Sequence, residues 1–298
     1  MKILILGGTG MLGHQLMMQF SDAFETWATV RGSASTFPDL PGIDRQRILG
    51  GVEATHYESL IEAFAAARPD LVINCIGLIK QRENAGDALA AIDLNARFPH
   101  QVALLCRACA ARMIHISTDC VFSGQKGQYT EEEPTDARDV YGKTKALGEI
   151  VDQPHCLTLR TSLIGRELTT RYSLLEWFLA QRGSVKGFQR AIFSGLPTMI
   201  VAQMIRDYII PNPELTGLYH VAAEPINKYD LLVLFRDAFE HTIEIIPDER
   251  VIIDRSLNGE RFRAATGFVA PNWPEMVAQM PDKSVPYELW KKSDYATA

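Results

Sequence analysis

The segment Ile3-Leu4-Ile5-Leu6-Gly7-Gly8-Thr9-Gly10-Met11-Leu12-Gly13, close to the start of the chain, decides the fold. Four consecutive apolar residues predict a short buried strand, and the glycines behind it permit a tight turn into a helix. Glycine also lets the backbone approach a pyrophosphate, which the free N–H groups of a helix N-terminus can bind. An ordinary βα turn would use the same residues, but the position directly behind an apolar strand favours a dinucleotide site. We expect its contacts to come from Gly7, Thr9, Gly10, Met11, Leu12 and Gly13.

The alternation of strand and helix continues as far as Arg160. The predicted strands are apolar on both faces, which is typical of a parallel sheet covered by helices on both sides. The sequence therefore predicts an α/β fold with a doubly wound parallel sheet. The expected strands are Met1–Leu6, Thr26–Val30, Leu71–Ile76, Met113–Ser117 and Cys156–Arg160, and the expected helices are Met11–Phe20, Ser59–Ala67, Phe98–Ala111 and Tyr141–Val151.

Beyond about Arg160 the regular alternation of predicted strands and helices ends. The glycine-containing stretch from Arg182 to Thr198 predicts a loop. We expect a smaller mixed lobe that covers the carboxyl edge of the sheet, with an approximate division into residues 1–165 and 166–298. Its expected helices are Ser173–Ala180, Met199–Ile210 and Tyr229–Phe239, and its expected strands are Leu218–Val221 and Ile243–Ile246.

Composition excludes several classes of partner. The chain has 298 residues, 47% of them hydrophobic, and a formal net charge of −6. A nucleic-acid partner is not expected, because phosphate backbones bind basic surfaces. No apolar run reaches the ~18 residues of a membrane span, and the run before Gly7 is too short for a signal peptide. The sequence therefore predicts a cytoplasmic protein without a membrane partner.

Five cysteines, an odd number spread along the chain, argue against a disulfide framework. Cys106 and Cys109 form a C-x-x-C inside a predicted helix, and we expect both to pack in the core. No second C-x-x-C accompanies them to complete a zinc site. No metal is therefore expected.

The end of the second predicted strand, Thr29-Val30-Arg31-Gly32-Ser33, bears on the choice of cofactor. NAD sites usually carry an acidic residue there, on the ribose hydroxyls. An arginine can instead pair with a 2′-phosphate. Arg31 therefore favours NADPH, with NADH left open, and the alternative is a solvated surface arginine.

Two further motifs carry chemistry. Tyr141 and Lys145 lie one helical turn apart, hence on one face of the helix. An ammonium nearby lowers the pKa of a phenol, and the tyrosine can then give a proton to an alkoxide that forms as hydride arrives. A buried strand also leads into Thr118 and Asp119, at the sheet edge where such folds bind ligands. Alone, these motifs also occur as a solvated helix face and as a turn after a strand.

Together these pieces resemble the extended short-chain dehydrogenase/reductases, and among them the dTDP-4-dehydrorhamnose reductase family of nucleotide-sugar enzymes. The resemblance implies a Rossmann-type domain over residues 1–165, which binds NADP, and a C-terminal substrate lobe over residues 166–298. The matching motifs are the Gly7/Gly10/Gly13 fingerprint, Asn74-Cys75-Ile76-Gly77, Asn95, Ser117-Thr118-Asp119-Cys120-Val121-Phe122 and Tyr141-Gly142-Lys143-Thr144-Lys145.

The same resemblance implies roles for single residues. Thr118, Tyr141 and Lys145 would form the catalytic triad. The expected activity is NADPH-dependent reduction of a nucleotide-linked 4-keto-6-deoxysugar in surface-polysaccharide biosynthesis, with the assembly left open between monomer and homodimer. Further cofactor contacts would come from Cys75, Ile76, Gly77, Asn95, Tyr141 and Lys145.

Cys120 stands where related enzymes differ. The sugar 4,6-dehydratases of this superfamily have a glutamate there for water elimination, so Cys120 argues against that reaction. The rhamnose reductases usually have tyrosine, which makes Cys120 a departure from the family pattern. Enzymes resembling GDP-fucose synthase have a cysteine that acts in epimerisation with a later histidine, but Leu163–Trp177 contains no histidine. Two interpretations of Cys120 therefore stay open: it shapes the sugar pocket, or it acts as the acid/base of an epimerase or epimerase–reductase. For the whole chain, a non-catalytic regulatory subunit also stays open.

The substrate diphosphate needs cations, and the second half offers several arginines and a lysine. Taken singly, each is more often a surface charge. Candidate cations there are Arg166, Arg171, Lys186, Arg190 and Arg255, and the substrate contacts we expect are Lys80, Asp119, Cys120, Arg166 and Arg190.

Overall fold

A sheet of seven parallel strands forms the centre of the computed structural model, which describes residues 1–78 and 87–291. The strands of the described residues are β1 (Lys2–Leu6), β2 (Glu25–Thr29), β3 (Ile48–Leu49), β4 (Leu71–Asn74), β5 (Arg112–Ile116), β6 (Cys156–Arg160), β7 (Leu163–Ile164), β8 (Ser184–Phe188), β9 (Ala191–Phe193), β10 (Leu196–Pro197), β11 (Gly217–His220), β12 (Ile226–Asn227), β13 (Glu244–Asp248) and β14 (Ile253–Asp254). The order across the sheet is β3-β2-β1-β4-β5-β6-β11. It reverses between β1 and β4, which is the switch point where open α/β sheets bind ligands. The predicted doubly wound parallel sheet is confirmed.

Both faces of the sheet are covered by helices. Ile3 and Ile5 of β1 belong to one apolar core, whereas Leu4 and Leu6 point to the other side and belong to a second. This alternation explains why the strand is apolar throughout. The helices are α1 (Gly13–Phe20), α2 (Tyr57–Ala67), α3 (Ala88–Ala91), α4 (Phe98–Ala108), α5 (Val140–Leu147), α6 (Leu174–Ala180), α7 (Thr198–Met204), α8 (Lys228–Ala238), α9 (Glu260–Thr266), α10 (Trp273–Ala278) and α11 (Tyr287–Trp290), with π-helical turns at Ile92–Arg97 and Ile205–Ile209 and 3-10 turns at Ala34–Thr36, Arg45–Arg47 and Asp119–Val121.

The stretch from Arg182 to Thr198 is not the loop that the sequence predicted. It contains β8, β9 and β10, which pair with β13, with β12 and β14, and with β7 respectively. Each of these strands has two to five residues and a partner far along the chain. The short runs therefore carry no local signal, and the pairing is a tertiary effect.

The strand predicted at Leu218–Val221 belongs to the large sheet and not to the smaller lobe. It is observed as β11, and it pairs parallel with β6 in the register Leu218 to Thr158 and His220 to Arg160. The chain therefore returns to the central sheet after residues 166–216. His220, which ends this strand, is fully buried.

The cysteine pair separates in the structure. Cys106 packs in the core as expected, but Cys109 is exposed, because α4 ends at Ala108 and the chain turns outward there. Within the described parts of the chain there is no group of three side chains arranged to hold a metal ion. The helices described are too short or too polar to cross a bilayer.

Candidate active site

A cavity of about 460 Å³ opens at the carboxyl ends of β1, β4, β5 and β6. Met11 lines it from the glycine loop, and Cys75, Ile76 and Gly77 line it from the end of β4. Thr118, Tyr141 and Lys145 share the same wall. The structure thus brings residues from four separate motifs to one place, at the switch point of the sheet.

The glycine loop is built for close backbone approach. Gly7 has a φ of +89°, in the left-handed region that favours glycine. A methyl group on Gly13 would collide with the Gly7 carbonyl oxygen, so the start of α1 can lie against the loop only without a side chain there. A Cβ on Gly10 would meet only that same carbonyl oxygen, which leaves the outer side of the loop open. These residues therefore fit a bound pyrophosphate.

Arg31 lies at the carboxyl end of β2, next to the glycine loop. Two residues before it, the Thr29 carbonyl accepts a hydrogen bond of 2.8 Å from the Gly8 N–H. Arg31 is exposed, and no acidic residue occupies positions 29–33. The guanidinium is therefore available to an anionic group on a dinucleotide.

Thr118 and Tyr141 come together at the cavity wall. Their side chains are hydrogen-bonding partners, and the Thr118 hydroxyl lies 3.1 Å from its acceptor Asp119 Oδ1. Thr118 Oγ1 accepts from the Cys120 N–H at 3.1 Å, which fixes its rotamer at the end of the strand. Two hydroxyls therefore point at one part of the cavity.

The pKa of Tyr141 differs from the sequence-based expectation. Burial raises it above its ordinary value, and the neighbouring Cys120 and Asp119 raise it further, against a partial lowering by Thr118. Lys145 Nζ donates to the Ile116 carbonyl oxygen at 2.7 Å. The net shift is therefore upward, against the expected lowering, and the phenol is neutral near neutral pH. An effect of Lys145 on this pKa stays a prediction.

Lys145 is itself perturbed by its surroundings. Burial lowers the pKa of its ammonium to about 8, while Glu149 and Cys75 act in the opposite direction. It lines the cavity with only 5% of its surface exposed. Its ammonium has three N–H groups, so it can donate to a ligand oxygen while it keeps its hydrogen bond to the Ile116 carbonyl of β5.

Asn95 holds the floor of the cavity in place. Its Oδ1 accepts from the Leu78 N–H at 2.8 Å, and its Nδ2 donates to the Leu78 carbonyl at 3.2 Å and to Thr144 at 3.4 Å. The π-helical turn Ile92–Arg97 turns this side chain inward. Asn95 therefore connects the loop after β4 to α5.

Two cations of the second half face the cavity, and sequence reasoning missed one of them. Lys228 begins α8, and Arg255 donates from Nε to the Phe122 carbonyl at 2.9 Å. Both line the cavity and lie close enough to Asp119 to act on its pKa, which burial nonetheless raises. Lys228 follows a helix-capping asparagine, and no motif marks it in the sequence. Its position becomes visible only when β12 pairs with β9.

Other expected substrate contacts lie elsewhere. Arg166 pairs at 2.6 Å with the buried Glu176 and with the exposed Glu288, and it does not line the main cavity. Arg190 is exposed at the turn between β8 and β9 and does not line the cavity. Lys80 falls outside the described residues. Asp119 and Cys120 do line the cavity.

Cys120 lines the cavity close to a phenol and to an ammonium group. It raises the pKa of the Tyr141 phenol, and it also raises the pKa of the Lys228 ammonium, against the lowering by burial. Lys228 is therefore a cation close to Cys120 in this structure.

Comparison with protein-family models matches residues 1–285 to the RmlD substrate binding domain family. The chain belongs to the RmlD family. One curated relative is a dTDP-4-dehydrorhamnose reductase of Streptomyces griseus, 33% identical over 147 residues that cover 49% of this chain and 43% of the relative. That match therefore spans less than half of the relative's length.

Two further proteins are similar to this chain over most of its length. The methionine adenosyltransferase 2 subunit beta of Mus musculus is 24% identical over 255 residues, which cover 80% of this chain and 72% of that protein. A crystal structure of dTDP-4-dehydrorhamnose reductase from Bacillus anthracis in complex with NADP has a TM-score of 0.76 at 19% identity and covers 94% of this chain and 99% of that one. At this identity the structural likeness shows the fold alone.

Proposed function

We propose that the protein is an NADPH-dependent reductase of a nucleotide-linked 4-keto-6-deoxysugar, which serves deoxysugar and surface-polysaccharide biosynthesis. The observation that carries the proposal is the meeting of Thr118, Tyr141 and Lys145 in one cavity beside the glycine loop. Family members named dTDP-4-dehydrorhamnose reductase, and the NADP complex from Bacillus anthracis, support it.

The proposed mechanism assigns a task to each residue of the triad. A bound NADPH supplies the hydride that reduces the carbonyl carbon. Tyr141, neutral because burial raises its pKa, donates its hydroxyl proton to the alkoxide that forms. Thr118 hydrogen-bonds the same oxygen and orients it. Lys145, buried and cationic, donates to a cofactor ribose hydroxyl and stabilises the phenolate left after proton transfer.

We also propose a division of labour along the chain. Residues 1–165 supply the cofactor side, through the glycine loop, Arg31 and Asn95. Residues after 165 supply the substrate side, where Lys228 and Arg255 can bind an anionic group of a nucleotide sugar. A homodimer is a further proposal, which sedimentation of the purified chain would test.

Cys120 favours a second candidate, an epimerase or epimerase–reductase. A thiolate can remove a proton α to a ketone, and Lys228 is the cation beside it. Turnover in deuterium oxide should then place solvent deuterium on a ring carbon, and Cys120→Ser should abolish that label. Product without ring label would reject this candidate and leave Cys120 as a wall of the sugar pocket.

A screen of dTDP-, UDP- and GDP-linked 4-keto sugars with NADPH tests the main proposal. Oxidation of NADPH by one of them, and its loss in Tyr141→Phe with NADPH binding retained, is the expected result. A chain that binds NADPH but turns over no keto sugar would be a non-catalytic regulatory subunit, the role that the name of the mouse relative suggests for that protein.

A further inference from the structure

The last described segment of the chain packs against the start of the glycine-loop helix. Tyr287, in α11, is 3% exposed and contacts His14, which is fully buried in α1. Their rings meet edge to face at 5.7 Å between centroids. Tyr287 is 277 positions beyond Gly10 in the sequence, yet only the His14 side chain separates it from the glycine loop.

A directed series of hydrogen bonds joins the two segments. His14 Nδ1 lies 2.8 Å from the Gly10 carbonyl oxygen, and His14 Nε2 lies 3.1 Å from the Tyr287 hydroxyl. A carbonyl only accepts, so Nδ1 carries the hydrogen. Burial lowers the pKa of His14 to about 4, so the ring is neutral and Nε2 accepts from Tyr287. Gln15 in turn donates to the Tyr287 oxygen at 2.9 Å.

Ion pairs around Tyr287 fix its ring in the position from which its hydroxyl bonds to His14. The Arg166 guanidinium lies over the Tyr287 ring at 4.6 Å and pairs with Glu176 and Glu288. Lys291 pairs with the same Glu176, which is 1% exposed. Because such buried charges are costly to leave unpaired, the segment is fixed on the helix rather than loosely attached.

The contact between Tyr287 and His14 acts on the glycine loop through the peptide unit between Gly10 and Met11. The peptide between Gly10 and Met11 is planar and trans, so a fixed Gly10 carbonyl also fixes the Met11 N–H in the opposite direction. Met11 lines the main cavity, whereas His14 does not. We propose that Tyr287 is a positioning residue, which through His14 presets this peptide of the glycine loop for a dinucleotide pyrophosphate. The inference rests on the proposed function in one respect, namely that the loop binds a dinucleotide.

Tyr287→Phe tests it, because the variant keeps the ring under Arg166 and removes only the hydroxyl. We expect the NADPH dissociation constant, followed by cofactor fluorescence without substrate, to rise roughly three- to tenfold, the effect of one hydrogen bond. The kcat at saturating NADPH should stay at the wild-type value. Tyr219→Phe is the matched control, since that ring packs on Phe262 far from the loop, and it should change neither quantity.

A double-variant cycle separates the hydrogen-bond series from a general loss of packing. If the hydroxyl acts through His14, Tyr287→Phe should add nothing to the effect of His14→Leu on NADPH affinity. Additive effects, or wild-type affinity in Tyr287→Phe, would overturn the inference while the proposed function stands. Wild-type protein that binds no dinucleotide would remove both, and the two failures are thereby distinguished.

Discussion

The two sides of the cavity are built by different means. The proposed cofactor side consists of backbone: Gly13 leaves no room for a Cβ, Gly7 has a positive φ, and the spacing of Gly7, Gly10 and Gly13 within seven residues sets the shape. The substrate side consists of side chains, with Asp119, Lys228 and Arg255 arriving from three distant segments. A backbone site tolerates no change of volume, whereas a side-chain site can lose one group and keep its shape. In our proposal, the protein thus combines a rigid backbone platform for the cofactor with an adjustable wall of side chains for the substrate.

The largest effect is expected from the backbone side. Gly13→Ala places a methyl group against the Gly7 carbonyl oxygen, and overpacking of this kind costs roughly 1–3 kcal/mol or more. We expect NADPH binding to be lost and the melting temperature to fall. Gly259→Ala is the control, because a Cβ there meets only ordinary contacts at 3.5 Å or more and should change neither. Retained NADPH affinity in Gly13→Ala would mean that the loop is not the binding platform.

Acid should lower the free energy of unfolding of the whole protein, and so destabilise both sides of the cavity together. Burial lowers the pKa of His14 to about 4 and that of His220, which ends β11, to about 3. The unfolded chain binds these protons near pH ~6.5, before the folded protein can. The free energy of unfolding should therefore be full above pH ~6.5 and fall as pH decreases below it, by up to ~1.4 kcal/mol per pH unit for each histidine.

Urea unfolding between neutral pH and pH ~4 measures this slope. The slope should decrease in His14→Leu and stay unchanged in His56→Gln, whose ring is exposed at the surface. A free energy of unfolding that does not vary with pH over this range would show that the histidines do not resist protonation.

On the substrate side, one charge can be removed without disturbing the platform. Lys228→Met should raise the KM for a sugar nucleotide roughly ten- to a hundredfold, since a charge-assisted hydrogen bond contributes ~1.5–3 kcal/mol. The NADPH dissociation constant should stay constant. Arg190→Met, an exposed cation outside the cavity, should leave both constants unchanged. A larger effect in Arg190→Met than in Lys228→Met would reverse our assignment of the substrate wall.

The smallest effect concerns Arg31, a side chain next to the backbone platform. Arg31→Ala should weaken NADPH about tenfold and NADH little, because only NADPH carries the 2′-phosphate. Fluorescence titration with both cofactors measures the difference. Equal weakening of both would reduce Arg31 to a support for the loop after β2.

The contrast between the two sides also explains what sequence could predict. β1, the glycine turn and β6 follow from runs of adjacent residues, and the catalytic motifs lie at the ends of predicted elements. The strands between Arg182 and Thr198 depend on partners elsewhere in the chain, so no local pattern marks them. Arg166 looked like a substrate cation because the sequence does not show that Glu176 and Glu288 surround it. Local backbone chemistry was predictable, and long-range charge pairing was not.

The most direct test of the account follows the hydride. NADPH carrying deuterium at the transferred position, incubated with the keto sugar nucleotide found in the screen, should yield a sugar alcohol heavier by one mass unit, with the label on the former carbonyl carbon. Tyr141→Phe should bind the labelled cofactor with wild-type affinity and form almost no product, because the proton donor is gone. Unlabelled product, or full turnover by Tyr141→Phe, would contradict hydride transfer assisted by Tyr141.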